Sequence, residues 1–169
     1  PWPLIMSQKE LDLTATLGDM IIPEDEYSPS ATAVGAPDFI NEWVSAPYEN
    51  QHKDRVLILS GLHWLDAESK ARFKTAFIEA STPQRELIAD DIAFAGRIKT
   101  GYSQPARFFA RFRSLISGGF YTTDEGLADL QYQGNQPVIG DYPGPTQDAL
   151  EHLQSALAQL NLDKRVIQP

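Results

Sequence analysis

The sequence predicts an all-helical domain spanning residues 1–169, a bundle of about six to seven helices joined by long, ordered loops rich in proline and glycine. Three observations predict it. Apolar residues recur three and four positions apart through most of the chain. Helix-start residues, serine, threonine or a first-turn proline, stand just ahead of most of these stretches. No stretch alternates apolar and polar residues for more than a few positions, and there is no internal repeat or low-complexity tract.

The elements follow in order. Ser7-Gln8-Lys9-Glu10 reads as a capping box, and Leu11, Leu13 and Leu17 continue it, so the first helix is expected over residues 8–20. Pro23 and Pro29 then break the chain on either side of Glu24-Asp25-Glu26, an acidic loop with fixed turns. Pro37 sits at a first-turn position, and Phe39, Ile40, Trp43 and Val44 form one apolar stripe behind it, a short second helix. From Gln51 to Trp64, Val56, Leu57, Ile58, Leu59 and Leu62 mark a helix apolar on most sides and therefore central. Asp66 is expected to cap a new helix through Phe73 and Phe77, and Ser81-Thr82-Pro83 closes that one and opens another through Leu87 and Ile92. Gln104-Pro105 opens a helix carrying Phe108, Phe109, Phe112, Leu115 and Ile116, with Gly118-Gly119 as its left-handed stop. Thr123 caps a short turn ending near Leu130. Gly134 to Pro145 has no helical period, and its tyrosines and prolines favour an ordered loop. Thr146 caps a last helix through Leu150, Leu153, Leu157 and Leu160.

Bulk properties narrow the function. A domain of 18.8 kDa buries roughly 70% of its unfolded surface and needs no covalent staple. A formal charge of -9 opposes binding to a phosphate backbone and to anionic lipid, so membrane association is expected to come through a protein partner. With no cysteine there is no disulfide, no iron–sulfur cluster and no covalent c-type haem in this chain. The chain opens at Pro1 without a charged and then apolar leader, so any targeting peptide is expected to have been removed or left out.

Chemistry-bearing motifs are sparse. His52, His63 and His152 show no metal-ligand spacing and read as surface or half-buried helix residues. No nucleophile elbow and no Gly-rich nucleotide fingerprint occur, so no cofactor is expected in this chain. Glu24, Asp25 and Glu26 are near enough to perturb one another, although acidic loops are usually solvated. Phe108, Phe109, Phe112, Phe120 and Tyr121 either line a pocket or, as helical spacing more often means, fill the core. Arg107 and Arg111 share a helix face beside Arg113, where they pair either with an acidic partner surface or with the chain's own carboxylates.

One ordered set of motifs is specific. Asp19-Met20-Ile21-Ile22-Pro23-Glu24-Asp25, Ser28-Pro29-Ser30-Ala31 and Gly35-Ala36-Pro37-Asp38-Phe39-Ile40 resemble the opening of the gluconate 2-dehydrogenase subunit 3 family. Gly61-Leu62, Leu65-Asp66, Phe108-Phe109, Arg113, Gly119-Phe120-Tyr121-Thr122, Gly126, Gly134-Asn135 and Asp141-Tyr142-Pro143-Gly144 follow the same family's order. The resemblance covers roughly residues 11–145 and implies a non-catalytic small subunit bound to an FAD-containing dehydrogenase subunit of the glucose–methanol–choline type, which oxidises a sugar, polyol or glycoside. It further implies that FAD resides in that partner, that a cytochrome c subunit carrying haem c often completes the complex, and that the complex lies in the periplasm, membrane-associated through its partners. Small subunits of this family commonly carry a twin-arginine leader and help to export the catalytic subunit. On that reading the partner interface is expected on the two unusual loops, at Pro23, Tyr27, Pro29, Phe120, Tyr121, Tyr132, Asn135, Tyr142 and Pro143. Two alternatives belong to other classes: a stand-alone sugar-binding protein or enzyme that uses the acidic loop and the Arg/Phe helix as a pocket, and a transient export chaperone released after folding.

Overall fold

The computed structural model describes residues 2–132, 134, 139–141 and 144–162, and the described residues are helical without a strand. The chain divides into two units, Pro1–Tyr132 and Gln133–Pro169.

In the first unit, α1 (Gln8–Ile21) begins at the expected capping box: the Ser7 hydroxyl accepts the Glu10 backbone N–H, and the Glu10 carboxylate accepts the Ser7 N–H at 2.8 Å. α2 (Ala36–Ser45) starts behind Gly35, whose φ of 75° is the left-handed conformation that favours glycine, with proline in its first turn. The next element, α3, runs unbroken from Glu49 to Phe73 and packs against α1, α2, α4 (Thr82–Ala93) and α5 (Ser103–Phe120). Its central position is the expected one.

Three helix boundaries differ from expectation. Asp66 does not start a helix; it lies inside α3 on the same buried stripe as Ile58, Leu62, Leu65 and Ser69. Nothing between Trp64 and Phe73 breaks the helical period, and the Asp66 carboxylate, which would cap a helix locally, is engaged by distant groups instead. One of them is the Phe77 N–H, 3.2 Å away, so Asp66 caps the 3-10 turn Phe77–Glu79 from within the preceding helix. α3 ends at Phe73, short of the expected run through Phe77, because Lys74 takes the left-handed conformation.

Gly118-Gly119 likewise does not stop α5, which continues to Phe120. Gly119 is there for proximity rather than for backbone freedom: a Cβ on it would stand 2.9 Å from the Phe39 ring of α2. After α5 comes α6 (Asp124–Asp129), and Thr123 caps it by accepting the Gly126 N–H at 3.1 Å.

The core is assembled from Leu13 and Leu17 of α1, Ile40 and Val44 of α2, Ile58, Leu62 and Leu65 of α3, Ile88 and Ile92 of α4, and Phe108, Phe112 and Ile116 of α5. Each such side chain is worth about 1.5–3 kcal/mol when fully buried. Phe109 and Phe120 are buried as well, so the phenylalanines of α5 belong to the core.

In the second unit, α7 (Gln147–Gln159) starts at the expected cap, where the Thr146 hydroxyl accepts the Ala149 N–H at 3.3 Å.

Candidate partner-facing site

The acidic loop after α1 is built on one side chain. The Asp25 carboxylate accepts the backbone N–H groups of Tyr27 at 2.8 Å and Ser28 at 2.9 Å, while the Asp25 N–H donates to the Ser28 carbonyl at 3.0 Å. The two backbone donors favour the ionised form and hold this carboxyl below the usual aspartate range. At the base of the loop the Ala31 N–H donates to the Ile22 carbonyl, and the Thr32 N–H donates to the Asp19 carboxylate at 2.8 Å. Ser28 and Ala31 are thereby buried, and Tyr27 is left 79% exposed at the tip. Pro23, Glu24 and Glu26 are exposed and Pro29 is half-buried. The Asp25 carboxylate is spent on the loop's own backbone.

Tyr121 follows α5 and stands beside this loop. Its phenol is pushed above the usual tyrosine range by burial, by the charge and hydrogen bond of Asp129 from α6, and by the charge of Asp25. The charges of Asp25 and Asp129 that act on Tyr121 come from segments about a hundred positions apart in sequence. Gly126 holds the α5–α6 corner tight, since a Cβ there would fall 2.2 Å from the Phe120 carbonyl oxygen. Beyond the corner the Tyr132 N–H donates to the Leu127 carbonyl at 2.9 Å, and the Tyr132 ring is 60% exposed.

Of the residues expected at the interface, Pro23, Tyr27 and Tyr132 offer surface, and Pro29 and Tyr121 are half-buried. Phe120 does not. Its ring is fully buried edge-on against Tyr121, at 5.0 Å and 82°, and it belongs to the core. Asn135, Tyr142 and Pro143 lie outside the described residues.

The arginines divide. Arg111 makes a two-pronged pair with Asp54 of α3 (Nε–Oδ1 2.9 Å, Nη2–Oδ2 2.6 Å), and its guanidinium lies over the Trp43 ring, whose indole N–H also donates to Asp54 at 2.8 Å. For Arg111 the chain's own carboxylate is thus the partner. Arg107 and Arg113 are exposed and have no acceptor among the described residues. Sequence reading missed Asp54 and Trp43 because they sit on two other helices, and no local spacing marks a pairing between elements.

His63 meets the Glu10 carboxylate at 3.0 Å, His52 and His152 are exposed, and no metal-holding group of three or more acidic or histidine side chains occurs among the described residues. An open groove of about 490 Å³ beside Pro23 is lined by Asp19, Arg85 and Glu86, but Asp19 already accepts the Thr32 N–H, and Arg85 donates to the Ala80 and Ile78 carbonyls. No described helix is long and apolar enough to cross a membrane.

Replacing Asp25 with alanine should free the Tyr27 and Ser28 amides while leaving the bundle intact. Hydrogen exchange at these two amides is expected to rise about tenfold or more, as expected when a hydrogen bond worth about 1.5 kcal/mol is lost. Unchanged exchange would mean that the loop is ordered by something other than this carboxylate.

The family model described as Gluconate 2-dehydrogenase subunit 3 matches residues 8–144 of the 169, a stretch that takes in the acidic loop and the α5–α6 corner. No curated protein and no solved structure matches the chain.

Proposed function

The chain belongs to the gluconate 2-dehydrogenase subunit 3 family, and from that premise we propose that it is the non-catalytic small subunit of an FAD-dependent dehydrogenase of the glucose–methanol–choline type. It stabilises the flavoprotein that oxidises a sugar, polyol or glycoside and escorts it to the periplasm. FAD is bound by that catalytic subunit, a cytochrome c subunit with haem c receives the electrons, and the complex associates with the membrane through these partners.

The observation that carries this reading is the family match over most of the chain. Two features of the surface support it. The acidic loop is rigidly tied by Asp25 yet presents Tyr27 to solvent, an arrangement that places an aromatic anchor without an ordering cost on binding. Tyr132, exposed, and Tyr121, half-buried, continue that aromatic character around the α5–α6 corner.

Co-expression of the chain with the flavoprotein subunit, followed by size-exclusion chromatography and flavin absorbance of each peak, tests the proposal. Co-elution with flavin is expected, together with loss of soluble, active dehydrogenase when this chain is omitted. A chain that elutes alone beside a fully active flavoprotein would overturn it.

A further inference from the structure

Among the described residues of this acidic protein the cations are almost fully committed, and the exceptions are gathered in one place. Of the fourteen lysines and arginines, Lys164 and Arg165 lie outside the described residues. Lys9, Lys53, Lys70, Arg72, Lys99 and Arg111 pair with carboxylates. Arg55, Lys74 and Arg85 donate to backbone carbonyls. That leaves Arg97, Arg107 and Arg113, which have no acceptor among the described residues.

Arg107 and Arg113 line one open groove of about 400 Å³ where the end of α4 and the turn after it meet α5. Arg97 ends that turn, Ala95–Arg97, with its guanidinium stacked over Phe94 at 4.6 Å. The floor is apolar and made largely of small side chains, Ile92, Ala93, Ala106 and Ala110, and no carboxylate lines it. Ile98 on its rim is 39% exposed and the neighbouring Phe94 47%. An apolar trough of small residues accepts inserted side chains, while two unpaired guanidinium groups beside it call for carboxylates.

We propose that this groove seats an acidic, apolar-faced segment of the dehydrogenase's catalytic subunit, with Arg107 and Arg113 receiving carboxylates of that segment. The proposal rests on the subunit reading above and adds the chemistry of the contact. Charge complementarity carries it: this is a local positive patch on a chain of net charge -9, so it attracts an acidic protein segment at short range while the molecule as a whole repels nucleic acid and anionic lipid.

The test is made on the co-expressed complex. The double variant Arg107→Glu and Arg113→Glu should weaken association with the catalytic subunit by roughly tenfold or more. Lys53→Glu, a charge reversal on α3 away from the groove, should leave association unchanged. Both altered arginines are exposed, so the thermal midpoint should hold. Should the double variant fail to fold, a photo-crosslinking residue at Ser103 in the otherwise native chain supplies an independent reading. It should join the groove to a segment of the catalytic subunit that contains Asp or Glu. Undiminished association of a folded double variant, or no crosslink from Ser103, would overturn the groove while the subunit reading stands. So would binding of the native chain to phosphatidylglycerol vesicles through these arginines with no effect on subunit association. If the native chain forms no complex with the flavoprotein at all, both readings fall together.

Discussion

Gly61→Ala is expected to destabilise the unit Pro1–Tyr132 by about 3 kcal/mol, a fall in melting temperature of roughly 10 °C. Gly61 lies on α3 directly under the Phe108 ring of α5, and a Cβ there would fall 2.0 Å from the ring's Cγ. Phe108 is buried, so the two helices must separate or the ring must leave its rotamer. The sign is the discriminating feature. In an exposed helix interior, alanine is better than glycine by about 1 kcal/mol. A destabilised variant therefore reports the close approach, and a stabilised one would show that α3 and α5 are not packed through Gly61. Adding Phe108→Leu should restore part of the loss in Gly61→Ala although it is itself destabilising, because the two positions share one contact.

Asp66→Ala should cost about 2–4 kcal/mol, measured by urea unfolding at neutral pH. The carboxylate is 7% exposed and accepts hydrogen bonds from the ammonium groups of Lys9 and Lys70, the latter at 2.9 Å, and from the Phe77 N–H. Truncation would leave that buried N–H without a partner and deprive two half-exposed ammonium groups of their shared carboxylate. The same residue sets an acid limit. Burial pushes its pKa up, but the three donors outweigh burial and hold the carboxyl at about 2 against an ordinary 3.8. A depressed folded pKa means that the ionised form stabilises the fold. Its contribution, about 2 kcal/mol, is complete above pH 3.8 and disappears as pH falls through about 2. The native chain should thus lose stability steeply between these two values, and Asp66→Ala should lose less over the same window. Parallel acid curves for the two proteins would refute the assignment.

Asp66 also shows where sequence reading stops. Aspartate ahead of an apolar periodic run is a sound N-cap signal, and at Ser7, Thr123 and Thr146 the same kind of signal located the true helix starts. At Asp66 it failed because three donors from elsewhere in the fold took the carboxylate, and the helix had no local reason to end. Gly118-Gly119 failed in a related way. A glycine pair reads as a stop when only the backbone is considered, yet here one of the two glycines is needed so that Phe39 can approach. The core reading of Phe108, Phe109, Phe112 and Phe120 was legible because spacing alone places them on a helix face. For Phe120 that core reading prevailed over its other expected place, at the interface. Nor could spacing join Arg111 to Asp54, a contact that depends on which helix faces meet.

By itself, then, the sequence determined what short-range physics controls: an all-helical chain, its caps, its apolar faces and the ordered motifs of its family. Each of these rests on groups within a turn or two of one another, whose geometry the chain specifies locally. Only the tertiary structure decided which charges are satisfied. Asp66 became a buried hub, Arg111 found Asp54, and Arg107 and Arg113 remained together without acceptors. The physical reason is that a side chain's electrostatic partner is chosen by the packing of helices distant in sequence, and no pattern along a single helix records that choice.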